Sequence, residues 1–340
     1  MDRKPLLEVK GLRTHFHTER GRVTAVDGVS FAVNEGEILG VVGESGCGKS
    51  VMSQSIMRLL DEKYSAEYEG DILLKGKNLL NLPMSQMQKV RGNDVSLIFQ
   101  DPLSSLNPVY TIGEQIRETI MLHQKVSKKE AREKAIEMLR LTGIPSPEKR
   151  VDEYPHQLSG GMQQRAMIAM ALSCQPNLLI ADEPTTALDV TIQAQILDLI
   201  VDLNQKLGMG VIFITHDLGV VSEICTRVIV MYLGEIVEEI DTDRLFSQPL
   251  HPYTRGLMKS IPQIDGNRSN KLHVIEGTVP SLHNIPKGCR FATRCPFADD
   301  RCRENAPELR VHDEKQKVRC WHYEKIAALD EEGLYDSSTN

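Results

Sequence analysis

At 340 residues the chain is long enough for about two domains, either able to bury a proper core. Its hydrophobic content of 41% and charged content of 26% are those of an ordinary soluble globular protein, and a net charge of −7 argues against a nucleic-acid binder held by phosphate contacts. No apolar run approaches the roughly 18 residues of a membrane helix, and Met1-Asp2-Arg3-Lys4-Pro5 is not followed by the apolar core of a signal peptide. A cytoplasmic protein is expected, in which the seven cysteines form no structural disulfides.

In chain order, Leu6 to Phe16 and Val23 to Val33 alternate as strands do, broken by a hairpin-type turn at Glu19-Arg20-Gly21. Phe16 falls on the edge of this sheet, where an aromatic either stacks on an adenine ring or packs half-buried in its strand; spacing alone leaves both open. Glu37-Ile38-Leu39-Gly40-Val41-Val42 reads as a short buried strand and Val51 to Leu60 as a helix. Between them stands Gly43-Glu44-Ser45-Gly46-Cys47-Gly48-Lys49-Ser50. Strand, glycine-rich turn and helix is the context of a phosphate-binding loop. The glycines let successive N–H groups point into one concavity at the positive end of a helix, about half a unit of charge. Lys49 is expected to reach the β- and γ-phosphates and Ser50 to bind Mg²⁺. Cys47 sits where helix amides lower a thiol's pKa; an incidental thiol is the plainer reading, and an oxidation brake on the site is the alternative.

Residues 61–92 are polar and mixed, with a strand expected at Asp71 to Leu74. Val95 to Phe99 is another buried strand, ending in Gln100-Asp101-Pro102. From Thr111 to Cys174 the pattern is helical: Ile112, Ile116 and Ile120 share a face, Ala135, Met138, Leu139 and Leu141 suggest another amphipathic stretch, and Ser127 to Glu130 fits a capping box. Leu158-Ser159-Gly160-Gly161-Met162-Gln163-Gln164 opens a further helix. Then come a strand ending in Asp182-Glu183, a helix over Val190 to Lys206, and strands at Gly210 to Thr215, Arg227 to Tyr232 and Glu235 to Ile240. Strands alternating with helices imply a mostly parallel, covered sheet.

Residues Leu158 to Gln164 resemble the signature motif of ABC ATPases, placed as in that family in a helical insert before Asp182-Glu183. The physical logic is phosphate binding again, since Ser159, Gly160 and Gly161 form a helix N-terminus that presents N–H groups to a γ-phosphate. The resemblance implies a RecA-like α/β domain over 1–250, with an antiparallel β subdomain and a helical insert at about 101–176. It implies an ATP site of Gly43 to Ser50 and Val51 with Phe16 on the adenine, although the family usually has tyrosine there. Leu178 to Asp182 resembles Walker B and Gln100 the Q-loop glutamine, so that by this resemblance Asp182 would hold Mg²⁺ with Ser50 and Gln100, and Glu183 would be the general base. Ala187-Leu188-Asp189 resembles the D-loop, and His216 resembles the switch histidine that contacts the γ-phosphate. By the same resemblance Ser159 to Gln164, with Ser159, Gly160, Gly161 and Gln163 on the nucleotide, would complete the site of a second, homologous ATPase.

The stretches Phe99 to Pro108, Tyr154 to Gln164, Ala181 to Gln195 and Pro249 to Met258 resemble oligopeptide/dipeptide importer ATPases, and nickel and glutathione importers share much of this pattern. The partners so implied are two membrane permeases and an external or periplasmic binding protein, with this chain peripheral on the cytoplasmic face and no nucleic acid. A small cysteine-rich domain is expected over 251–325, followed by a polar tail over 326–340. Cys289, Cys295, Cys302 and Cys320 have the spacing C-x5-C-x6-C-x17-C, without the tight pairs of a zinc ribbon. Four thiolates at looser spacing suit a [4Fe–4S] cluster, which the resemblance supports; four ordinary reduced cysteines are the alternative.

Overall fold

The computed structural model describes residues 5–62, 65–101, 105–185, 189–261 and 274–331. The chain opens with a hairpin of β1 (Leu7–Thr18) and β2 (Gly21–Val33), turned by Glu19-Arg20 as expected, and passes through β3 (Ile38–Val42) into α1 (Lys49–Ile56). Strands β4 (Ala66–Leu74) and β5 (Lys77–Asn78) then lie beside β1, so an antiparallel four-stranded sheet forms in the order β2-β1-β4-β5. β4 starts earlier than Asp71 because Ala66 to Glu69 pair with Phe16 back to Arg13. The mixed stretch before β6 (Val95–Ile98) contains a helix, α2 (Met84–Val90).

The insert follows as α3 (Ile112–His123), α4 (Lys128–Leu141), the single turn α5 (Pro147–Arg150) and α6 (Gly160–Leu172). The Ser127–Glu130 capping box is present, and a second box, Thr111–Glu114, starts α3. Ile112, Ile116, Ile120, Ala135, Met138 and Leu139 are buried, whereas Leu141 at the end of α4 is exposed. The remaining elements are β7 (Leu178–Asp182), α7 (Val190–Leu207), β8 (Gly210–Ile214), α8 (Leu218–Ile224), β9 (Arg227–Tyr232), β10 (Glu235–Asp241), α9 (Thr242–Leu245) and α10 (Pro252–Lys259). After them come α11 (Asp300–Glu304), β11 (Arg310–Asp313), β12 (Gln316–Val318) and α12 (Tyr323–Glu331).

The main sheet runs β11-β12-β10-β9-β3-β8-β7-β6. From β9 to β6 its strands are parallel, and β10, β12 and β11 extend it antiparallel. Alternation divides its core by face: Leu39, Val41, Ile180 and Ile214 pack toward Met52 and Ile56 of α1, while Val42, Leu179, Ala181 and Phe213 pack with the helical insert. Burial on both faces explains why these strands read as continuous apolar runs. The sheet continues across residue 250: β12 pairs with β10, and Phe291 packs edge-on against Tyr232, ring centroids 5.3 Å apart. Ile326, at the start of the segment expected to be a polar tail, is fully buried in α12. Among the described residues no helix is long and apolar enough to cross a membrane.

Candidate functional site

β3 delivers the chain into the loop Gly43–Ser50, which is wedged between β2 and β9. Gly43 (φ 151°) and Gly48 (φ 105°) have conformations that side chains rarely adopt. A Cβ on Gly48 would stand 2.6 Å from the Ala25 carbonyl oxygen, and one on Gly43 would collide with that of Met231. Ser45, Gly46 and Ser50 face solvent, whereas Lys49 is buried with Nζ donating to the carbonyls of Gly43 (2.7 Å) and Glu44 (3.2 Å). The Tyr253 hydroxyl braces the loop from behind, accepting from the Glu44 N–H at 2.8 Å. Cys47 departs from the expected chemistry. Its thiol is 1% exposed, and burial pushes its pKa up against the opposing pull of Lys49, so the oxidation brake has neither access nor thiolate character behind it.

Asp182 ends β7 beneath this loop. Ser53 Oγ donates to its Oδ2 at 3.3 Å, while Oδ1 is buried with no hydrogen-bond partner. Burial raises the Asp182 pKa, and hydrogen bonds from Ser50 and Ser53 work against that rise. A buried carboxylate oxygen without a partner, beside the Ser50 hydroxyl, is a donor set that suits a hard cation such as Mg²⁺. The next residue, Glu183, takes a left-handed backbone (φ 49°), held by its N–H donating to the Ile214 carbonyl at 2.9 Å. That turn swings its carboxylate to two partners from other loops. Gln100 Nε2 donates to Oε2 at 2.9 Å, and His216 Nδ1 lies 3.4 Å from Oε1. Three residues expected to share the chemistry, separated by over a hundred positions, thus converge. A carboxylate shared by an amide and an imidazole at a strand end, next to a cation site, is equipped to take a proton from water.

Phe16 is half-buried near the end of β1, paired with Val23 and Ala66. Ser159 caps α6, its hydroxyl accepting from the Met162 N–H, and with Gly160 it faces solvent. Among the described residues no hydrogen bond joins Ser159–Gly161 to Gly43–Ser50 of the same chain. Gln163 differs from expectation: its side chain turns inward, donating to the Pro155 (2.8 Å) and Leu158 (3.3 Å) carbonyls, so it shapes the turn before α6 rather than facing a ligand. Asp189 caps α7, accepting from the Ile192 N–H at 3.0 Å; Ala187 and Leu188 lie outside the described residues.

Cys289, Cys295, Cys302 and Cys320 line one small cavity, shielded by Phe291, Phe297 and Trp321. Burial pushes the Cys289 and Cys295 thiols up to about 11 and Cys320 to about 12, with Cys302 adding to the rise at all three. Asp299 and His322 reach the same place, ligand atoms of Asp299, Cys302 and His322 lying within 4.8 Å of one another. Convergence of four thiols in an apolar cavity fits a bound metal or cluster. Sequence reading missed Ser53, Tyr253, Asp299 and His322 as parts of these sites. Only Tyr253 carried a signal, lying in the Pro249 to Met258 stretch that had no physical role attached.

A family model described as ABC transporter matches residues 26–186, and one described as oligopeptide/dipeptide transporter, C-terminal region, matches 237–302. The oligopeptide transport ATP-binding protein AppD of Bacillus subtilis is 54% identical over 95% of this chain and 98% of its own length. The dipeptide transport ATP-binding protein DppD of the same organism is 50% identical over 93% and 94%. Among solved structures, the dimeric bacterial ABC transporter cassette MJ0796 overlays with a TM-score of 0.62 at 28% identity, covering 69% of this chain and 98% of that one; a post-hydrolysis form with ADP and Pi matches equally. With the phosphate loop, the strand-end carboxylates and the signature helix in place on this fold, the chain belongs to the ABC transporter ATP-binding proteins.

Proposed function

We propose that this chain is the ATP-hydrolysing subunit that powers peptide import across the cell membrane. The observation that carries the chemistry is the meeting of Gln100 and His216 on Glu183, one residue past Asp182. ATP would bind over Gly43–Val51 with its adenine against Phe16, and Lys49 would exchange the Gly43 and Glu44 carbonyls for the β- and γ-phosphates. Ser50, Asp182 and Gln100 would hold Mg²⁺, which neutralises charge on the phosphates. Glu183 takes the proton of the attacking water while His216 holds the carboxylate and contacts the γ-phosphate. The solvent-facing Ser159 and Gly160, with the half-buried Gly161, complete the corresponding site of a second, homologous ATPase, and that partner's signature helix completes this one; Asp189 lies on the same closing face. ATP binding closes the pair and hydrolysis reopens it.

Two permeases and an external or periplasmic binding protein complete the assembly, with this chain peripheral on the cytoplasmic face. The exposed Val109, Tyr110 and Leu122 of the helical insert support docking there. Peptide cargo rests on relatives named for peptide transport and on the matched C-terminal region; nickel or glutathione is the alternative cargo. In the C-terminal region, Cys289, Cys295, Cys302 and Cys320 would hold a [4Fe–4S] cluster, which supplies cross-linking of a segment too small for a large core of its own. The test of function is uptake of labelled di- and oligopeptides in cells whose sole copy is wild type or Glu183→Gln. Loss of uptake in the variant alone supports peptide import; unchanged uptake with stable expression refutes it.

A further inference from the structure

Glu44 places a carboxylate in the loop meant for a triphosphate, a charge of the wrong sign. Arg294 answers it through two parallel bonds, Nη1 donating to Oε2 at 2.6 Å and Nη2 to Oε1 at 3.0 Å, from 250 residues away in sequence. The Arg294 side chain is 3% exposed. Its remaining donor capacity goes to the Glu276 (3.0 Å) and Ile275 (3.2 Å) carbonyls, and the guanidinium lies 5.8 Å from the Tyr232 ring centre. This confined, fully engaged cation differs from the solvent-exposed pairs whose net worth is small. Arg294 immediately precedes Cys295, and its N–H donates to the Phe291 carbonyl inside the same cysteine turn at 3.0 Å.

We propose that Arg294 is a positioning residue for nucleotide binding, which neutralises Glu44 and thereby couples ATP affinity to the order of the cysteine turn. Without the guanidinium, Glu44 keeps its charge beside the phosphates and the loop loses its outer brace. Coupling of this kind is reciprocal: if disorder in the turn weakens ATP, then ATP steadies the turn. The inference rests on reading Gly43–Ser50 as the ATP site.

The test is equilibrium binding of ATP to the full chain as wild type, Arg294→Gln, Glu44→Gln and the double variant. Arg294→Gln is expected to weaken ATP about tenfold, the scale of one uncompensated charge near the ligand. Adding Glu44→Gln removes that charge and restores most of the loss, a rescue that a merely structural arginine would not show. Glu44→Gln alone, where Arg294 is left as a free cation, is expected to tighten binding, and it carries the test if Arg294→Gln fails to fold. Equal affinity in Arg294→Gln and wild type, no rescue in the double variant, or weaker binding by Glu44→Gln overturns the proposal. Saturating ATP is further expected to slow backbone hydrogen exchange over residues 289–302 in wild type more than in Arg294→Gln; equal protection overturns the coupling. A wild-type chain that binds no ATP would instead refute the nucleotide-site reading itself.

Discussion

Gln100 Nε2 donates to Glu183 Oε2 at 2.9 Å, so the glutamine that follows β6 directly holds the carboxylate that follows β7. The two strands are parallel neighbours in register, Ile98 against Ala181, which brings their C-terminal ends to one edge. Ligands of open α/β sheets bind at that edge. His216, just past the end of β8, grips the other oxygen. Loop geometry alone would scatter these side chains; parallel pairing of β6, β7 and β8 gathers them.

In the proposed mechanism His216 would act through Glu183, 3.4 Å from its Nδ1, and through the phosphate rather than through the cradle that binds ATP. His216→Ala is therefore expected to lower kcat by about ten- to a hundredfold, with ATP affinity within about threefold of wild type. Steady-state kinetics with a parallel binding measurement checks the split; a loss confined to affinity would contradict it.

Asp182 trades stability for function. Its folded pKa is raised by burial, so its contribution to stability is fully present below the unfolded value and is lost as pH rises through the folded one. At neutral pH the charge is buried with Oδ1 unpartnered. Asp182→Asn removes it, and the ligand-free variant is expected to melt a few degrees higher at about pH 7, a gain that shrinks toward pH 4. The same variant loses Mg²⁺-dependent hydrolysis. A lower melting temperature at neutral pH, or retained hydrolysis, would count against this account.

Gly48→Ala adds a methyl 2.6 Å from the Ala25 carbonyl at a φ of 105°. A cost of about 1–3 kcal/mol and a marked loss of ATP affinity are expected, because the loop must shift to relieve the clash. Thermal melts and ATP titration of the variant measure both; unchanged values would show that the loop tolerates displacement.

Protein purified without oxygen is expected to carry stoichiometric iron and to absorb near about 400 nm, and both signals should fall in Cys302→Ala. Removing the metal should lower the melting temperature. Protein that holds no iron and lacks this absorbance contradicts the cluster.

The phosphate loop is legible from its strand–turn–helix context, which a short stretch of sequence carries, whereas the roles expected of Asp182, Glu183 and His216 come from the resemblance to ABC ATPases. The central strands were legible for a related reason: burial on both faces makes them continuous apolar runs. What escaped was non-local or short. α2 and α8 are seven residues each and leave little periodicity to read. Tyr253 and Arg294 brace Glu44 from over 200 positions away, and no spacing rule links them. At Cys47 the helix amides favour a thiolate, yet burial outweighs them, in keeping with the plainer reading of an incidental thiol. The boundary expected at residue 250 rested on the crowding of cysteines and on the resemblance; the main sheet continues past it through β12, by a pairing with β10 that sequence alone does not specify.

The most direct measurement is single-turnover ATP hydrolysis by the purified chain, wild type against Glu183→Gln, at equal ATP occupancy. With Glu183 as general base, the variant binds ATP normally and hydrolyses it at least about a hundredfold more slowly. Hydrolysis within about threefold of wild type would contradict the assignment of Glu183, and with it the catalytic reading of the Gln100–Glu183–His216 arrangement.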